Sequence, residues 1–239
     1  MEMQWMTMPE VREEIEAGTP VIIPFGSTEQ HGSHLPLATD TLQAYGVAVR
    51  AARKVRVVVA PPVHYGQCSS TRNHPGTVTI SADTLRALAK DILRSLLGHG
   101  FTRFVLFSGH AGRIHMASLR ESAEAVIRDN PAIRIALVSD LDLVRETSED
   151  LVATPGDGHA GEVETSRMLH LHPDSVREAR PAEEYPSLPR HRIVPDPERY
   201  WPGGVWGDPS RADEAKGREL IERSAEALAE IVRKMVEEG

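Results

Sequence analysis

Apolar and polar positions divide the first 140 residues into short buried runs separated by amphipathic stretches. Thr7-x-x-Glu10, with Pro9 in the first turn, has the form of a capping box and predicts a short helix ending at Gly18. Val21-Ile22-Ile23-Pro24-Phe25 is an unbroken apolar run of strand length. Residues 26–40 are polar and rich in Gly, Pro and His, so they read as a loop. A helix is predicted from Thr41 to about Lys54, then a second strand over Val57-Val58-Val59-Ala60, stopped by Pro61-Pro62. After a loop over 63–80, Ser81 and Asp83 cap a helix that reaches Gly98 or Gly100, with Leu85, Leu88, Ile92 and Leu96 along one face. Phe104-Val105-Leu106-Phe107 is the third strand. A short loop over 108–112 follows, then a helix over about 114–129 and a fourth strand over 133–138.

Strands alternating with helices predict an α/β protein: three layers, α/β/α, around a mainly parallel sheet. In such sheets ligands bind beyond the carboxyl ends of the strands. Three histidine-bearing loops, 26–40, 63–80 and 108–112, fall there and should converge on one site. The last third differs. Residues 156–171 read as a loop entering a short helix, and 173–209 as a polar segment that wraps the domain or makes a subunit contact. Residues 212–238 read as a long helix with Leu220, Ile221, Ala225, Leu228, Ile231 and Val232 as its apolar stripe. With no repeat and no long linker, residues 1–239 are expected to form a single domain.

Composition narrows the class of partner. The chain has 239 residues, 27 Lys+Arg against 35 Asp+Glu, and a net charge of −8. That balance disfavours nucleic acid and anionic membrane surfaces as general partners and leaves a small molecule as the expected one. No apolar run reaches the roughly 18 residues of a membrane span, and the first residues lack the features of a signal peptide. Cys68 is the one cysteine, so an intrachain disulfide is excluded and a reducing, cytoplasmic setting is the expectation.

Histidine is abundant, at 11 residues, and its placement points to metal chemistry. Glu29, His31, His34 and Asp40 share the first loop, and carboxylate oxygen with neutral imidazole nitrogen suits divalent metals. Gly32 and Pro36 break helical spacing, so His31 and His34 are not a helix-borne ligand pair. The alternative for this segment is a solvated loop in which Asp40 caps the next helix. His110 follows the third strand, and Gly109 beside it permits a tight turn. His159 and Glu164 form a third cluster, whose alternative is a helix N-terminus favoured by the dipole. His99 reads as a helix C-cap, His170 and His172 as a helix end, and His191 carries no signal. Cys68 could in principle form a Cys–His nucleophile pair, but no signature accompanies it.

The run from Ile23 to Asp40, IPFGSTEQHGSHLPLATD, closely resembles the signature of the creatininase, or creatinine amidohydrolase, family. The resemblance continues at Pro75-Gly76-Thr77, at Ser108-Gly109-His110-Ala111-Gly112, at HAGEVETS from His159 to Ser166 and at Gly204-Val205-Trp206-Gly207-Asp208-Pro209. It implies an α/β/α fold, homo-oligomers that are commonly hexamers, and a site with two divalent metal ions (Zn, Mn or Fe) that opens cyclic or linear amides. By position it implies that Glu29 and His31 each hold one metal, that Asp40 bridges the two and that His110 completes one of them. His159 would be the proton donor to the leaving nitrogen, and Glu164 a further ligand or a support for one.

Two departures bear on the substrate. Creatininase proper has an aromatic residue and a glutamate directly after its third-strand histidine, where this chain has Ala111 and Gly112. Creatininase also boxes its ring with tryptophans, where Leu141 and Pro155 stand here, so creatinine itself is not expected. The Gly-His-x-Gly pattern is similar to relatives that deformylate a ribosylaminopyrimidine phosphate, and to the peptidase that trims the mycofactocin precursor. Arg113 and Arg72 are candidates to bind a substrate phosphate or carboxylate; the alternative for both is a solvated surface arginine. A function of a different class, a metal-stabilised assembly subunit without activity, is disfavoured by the complete Glu29, His31, Asp40 and His110 set.

Overall fold

Four parallel strands lie side by side in the order β2–β1–β3–β4: β1 (Val21–Phe25), β2 (Val58–Val59), β3 (Arg103–Ser108) and β4 (Arg134–Ser139). The structure is a computed structural model and describes residues 1–238. The helices are α1 (Met8–Glu16), α2 (Thr39–Ala51), α3 (Ala82–Gly98), α4 (Arg113–Asp129), α5 (Asp140–Thr147), α6 (Glu162–Leu171) and α7 (Glu214–Glu237). Every residue of β1 is buried, which is why it reads as a continuous apolar run rather than an alternating one.

The strand period of two divides the core between the two faces. Ile22, Val105 and Phe107 pack against Ala44, Val47 and Ala48 of α2 and against Ile221, Leu228 and Val232 of α7. Val21, Ile23, Phe25, Phe104 and Leu106 pack against Leu85 and Leu93 of α3 and Leu119 and Val126 of α4. Each large aliphatic or aromatic side chain so buried contributes about 1.5–3 kcal/mol. The three-layer α/β/α reading of the sequence therefore holds.

Pro24 is unusual, because proline is disfavoured in an interior strand. Its carbonyl accepts from Val63 N at 2.9 Å, on the edge of β1 that faces β2. β2 ends at Val59, short of this point, so the missing N–H costs no bond in the β1–β3 ladder.

The boundaries differ from expectation in three places. α2 begins at Thr39, so Asp40 lies inside its first turn rather than before the helix. β2 keeps only two of its four predicted residues. α5 follows β4 directly and was not anticipated. Its signal is a capping box in which Ser139 Oγ accepts from Asp142 N and Asp142 returns a bond to Ser139. Residues 173–209 are irregular, as expected, with short 3-10 turns at Pro173–Ser175 and Pro197–Tyr200.

Candidate active site

The carboxyl ends of β1 and β3 and the N-termini of α2 and α6 bring the predicted cluster together. Two glycines make that approach feasible. A Cβ on Gly109 would lie 2.1 Å from the Asp40 carbonyl oxygen, and one on Gly26 would lie 2.2 Å from Thr41 Oγ1. Gly109 is thus required for close approach of the loop to α2, not for the tight turn the sequence suggested.

Asp40 stands at the centre, almost fully buried. Its Oδ1 is 3.0 Å from His31 Nε2, and its Oδ2 is 3.1 Å from His110 Nδ1. Glu29 Oε1 is 3.0 Å from the same His110 nitrogen, and Glu164 Oε2 is 3.5 Å from His31 Nε2. Two groups result, Glu29–Asp40–His110 and His31–Asp40–Glu164, each facing one oxygen of the shared aspartate.

The outer nitrogens decide what these groups can hold. His31 Nδ1 donates to the Glu29 carbonyl at 3.1 Å, and His110 Nε2 donates to the Gln67 carbonyl at 3.1 Å. A carbonyl only accepts, so both neutral rings turn an unprotonated nitrogen toward carboxylate oxygens. Lone pairs facing carboxylates at about 3 Å require a proton or a cation between them. Without a cation, protons fill that role. Burial opposes charge on His31, yet Asp40 and then Glu164 raise its pKa to about 10. Burial likewise pushes Glu29 up, but His110 brings it down to about 2. A carbonyl-anchored imidazole beside carboxylates is the arrangement that a metal ligand needs. The donor set fits divalent cations, and three overlapping groups of this kind lie within coordinating reach: Glu29–His31–His159, Glu29–Cys68–His110 and His31–Asp40–Glu164.

His159 completes the cluster. Its Nε2 donates to the Gln30 carbonyl at 2.8 Å, which leaves Nδ1 as an acceptor 3.8 Å from Glu29 Oε1. The ring lies 4.2 Å from His31 and 5.2 Å from Trp201, centroid to centroid. Burial and then the charge of His31 hold its pKa below the ordinary imidazole value. Ala160, next to it, has φ of 51°, a left-handed conformation uncommon for a residue with a Cβ, and its N–H donates to Glu164 Oε2. One strained residue therefore positions both His159 and Glu164.

Gly112 leaves space for the His110 ring, and a larger residue there would have to displace it. A Cβ there would meet His110 Nε2 at 2.5 Å. Glu164 supplies a carboxylate to the same cluster from the other side.

A cavity of about 620 Å³ opens from this cluster. Arg113, at the first position of α4, lines it, and so do Leu141 and Pro155. Arg72 is not among the residues that line it, although its neighbours Ser69, Ser70 and Thr71 are. Its guanidinium donates to the carbonyls of Ser69, Val194 and Pro195, tying the second loop to the wrapping segment. Cys68 is buried, and burial pushes its thiol pKa up, the opposite of an activated nucleophile. His34 turns away to Thr165 Oγ1 at 2.8 Å. His99 is the C-cap of α3, and His170 and His172 close α6, as read.

The residue patterns did not reveal Ser27, which donates to Asp40 Oδ2 at 2.7 Å, or Thr71, which donates to Glu29. Trp201 and Trp206 were also missed as cavity walls. They come from the wrapping segment and meet edge to face with centroids 6.3 Å apart. Trp206 falls in the Gly204–Pro209 motif that carries the family resemblance, whereas the one signal for Trp201 was its place in a polar stretch.

A model of the creatininase family, described as creatinine amidohydrolase, matches residues 4–232. The creatinine amidohydrolase of Pseudomonas putida is 32% identical over 95% of this chain and 94% of its own length. The mycofactocin precursor peptide peptidase of Mycobacterium ulcerans is 33% identical over 84% of this chain and 79% of its own. Among solved structures, a mutant creatininase of Zn–Zn type superposes with a TM-score of 0.88 at 27% identity, covering 98% of this chain and 97% of that one.

Proposed function

The chain belongs to the creatininase family of amidohydrolases, and we propose that it hydrolyses a C–N bond of a small cyclic amide or formamide other than creatinine. The observation that carries this reading is Asp40, whose two oxygens face two different histidine–carboxylate groups. We assign Glu29, Asp40 and His110 to one divalent cation, and His31, Asp40 and Glu164 to a second, the metals being zinc, manganese or iron. Such a pair of ions would polarise an amide carbonyl and lower the pKa of a water molecule.

The rest of the chemistry falls to the chain's own residues. His159 Nδ1 is the open acceptor in the cluster, so it takes the proton of the attacking water and returns it to the departing nitrogen. The Gln30 carbonyl fixes that tautomer, and His31 and Trp201 hold the ring in place. Trp201, Trp206 and Leu141 line the cavity and keep bulk water from the reacting bond. Arg113 at its mouth suits a phosphate or carboxylate carried by the substrate. With Leu141 and Pro155 in place of a tryptophan box, a flat ring as small as creatinine is poorly held.

A second reading is a peptidase of the mycofactocin-precursor type using the same residues. The lining of the cavity favours it, because residues of α5 and Pro155 join the metal-ligand candidates around it. In either case the partner is a small molecule or short peptide, and the protein works as a homo-oligomer.

Metal content of protein purified without chelator tests the assignment. About two transition-metal ions per chain are expected, with Asp40→Ala losing both and Glu164→Gln losing one while retaining the other. Reconstituted protein is then offered formamides, cyclic amides and short peptides. One ion or none after reconstitution with zinc, manganese or iron would overturn the two-metal reading.

A further inference from the structure

His110 sits in a closed ring of hydrogen bonds. Its Nε2 donates to the Gln67 carbonyl at 3.1 Å, and Gln67 lies in the irregular loop over 63–80. Gln67 N donates to Nδ1 of His115 at 3.3 Å, a fully buried residue in the first turn of α4. His115 Nε2 pairs with Ser108 Oγ at 3.2 Å, and Ser108 Oγ donates back to the His110 carbonyl at 2.7 Å. The ring therefore begins at the side chain of His110 and ends at its own main chain.

Every hydrogen in the ring has one place. A backbone N–H only donates, so His115 Nδ1 is bare and its Nε2 carries the hydrogen. Ser108 commits its own hydrogen to a carbonyl, so its oxygen accepts from His115. The His115 ring also stands edge-on to that of His110, with centroids 4.8 Å apart and planes at 86°. A Cβ on Gly66 would lie 3.0 Å from His115 Nδ1, so a glycine there lets the loop come this close. The support is one-sided. The same loop gives the Gln67 carbonyl to His110 and the Thr71 hydroxyl to Glu29. His31 and Glu164 lean instead on the Glu29 carbonyl and the Ala160 N–H. A displaced loop 63–80 would disturb the Glu29 and His110 side of the cluster and spare the His31 and Glu164 side.

We propose that His115 is a positioning residue for the ion assigned to Glu29, Asp40 and His110: through Gln67 and Ser108 it fixes the His110 ring with Nδ1 turned to the two carboxylates. The proposal rests on the two-ion amidohydrolase reading. Partners that orient a metal-bound histidine from behind govern how well it binds, and a closed ring of such bonds holds more firmly than its members separately.

The test reads zinc affinity of the full-length protein by competition with a chelator. Glu164→Gln, which should keep only the ion at His110, is the first background. In it His115→Phe should weaken the remaining zinc by about 10- to 100-fold, as loss of a partner behind a metal ligand does. His115→Gln, which keeps one acceptor and one donor, should restore most of that loss. Ser108→Ala, a smaller change, should cost several-fold and keeps the test decisive if His115→Phe misfolds. Glu29→Gln, which should keep only the ion at His31, is the opposite background. There His115→Phe should shift zinc affinity by about twofold or less, as expected of sites with no shared partner. Unchanged affinity in the first background, an equal loss in both, or a loss that His115→Gln does not repair would overturn the proposal alone and leave His115 a packing residue. Wild-type protein that takes up no zinc, manganese or iron would overturn the amidohydrolase reading and this proposal together.

Discussion

At the scale of single residues, the site depends on close approaches and on charge placement. Gly109→Ala forces a Cβ to within 2.1 Å of the Asp40 carbonyl, a backbone atom that moves only with the first turn of α2. The expected cost is about 3 kcal/mol, the upper end of overpacking, together with loss of bound metal. Chemical denaturation and elemental analysis check it, and a variant as stable as wild type with full metal content would refute the steric account. His34 makes a second prediction. Burial first, then the charges of Arg180 and His31, lower its pKa from 6.5 to about 4. Between these values the unfolded chain binds a proton that the folded chain does not, so stability falls as pH drops from 6.5 toward 4. His34→Asn should flatten that limb of a stability-versus-pH curve and leave the region above pH 6.5 unchanged in slope. The metal-ligand candidates were legible in the sequence because carboxylate and imidazole at loop positions after strands suit a divalent metal, and because the resemblance to the creatininase signature picked them out from a solvated loop. Ser27 and Thr71 were not legible, because a hydroxyl that supports a carboxylate looks like any other serine or threonine.

At the scale of elements, α6 is the least conventional piece. Its N-cap is Gly161, which has no side chain to offer. Asp157, four residues earlier, takes over: its Oδ1 accepts from Glu162 N at 2.8 Å and its Oδ2 from Val163 N at 3.0 Å. Asp157→Ala should therefore cost about 1–2 kcal/mol, as loss of a helix cap does. It should also weaken the metal assigned to Glu164 more than the one assigned to Glu29. Asp157→Asn, which keeps one acceptor, should fall between. Differential metal loss on titration with a chelator separates the two ions, and equal loss of both would argue that α6 holds neither preferentially. The sequence disclosed most elements of the sheet because buried parallel strands are unbroken apolar runs. It concealed α5, since only eight residues follow β4 with no turn between and the Ser139–Asp142 box was the one sign of a start. It also showed no reason for Asp140 and Arg167, a charged pair inside an α/β core, which local pattern reads as surface.

At the scale of the whole molecule, the segment 173–209 links the site to the surface. On its inner side it supplies Trp201, whose carbonyl pairs with His74 Nε2 at 2.8 Å and whose ring lies against His159. Arg72 grips the same segment at Val194 and Pro195. On its outer side Tyr185, Leu188 and Ile193 are exposed, Ile193 completely. If the proposed homo-oligomer forms through this strap, a second copy of the chain would cover these apolar side chains. Light scattering should then give a multiple of 26.3 kDa, and Leu188→Asp with Ile193→Asp should reduce it to one chain. Because the strap also carries Trp201, dissociation should loosen the cavity wall without touching the ligand cluster. The dissociated protein is expected to keep its metal and to show a raised KM, with a smaller change in kcat. Retention of the oligomer in the double variant would mean that contacts lie elsewhere. Dissociation with unchanged KM would mean that Arg72 and His74 suffice to hold the strap, leaving assembly and catalysis independent.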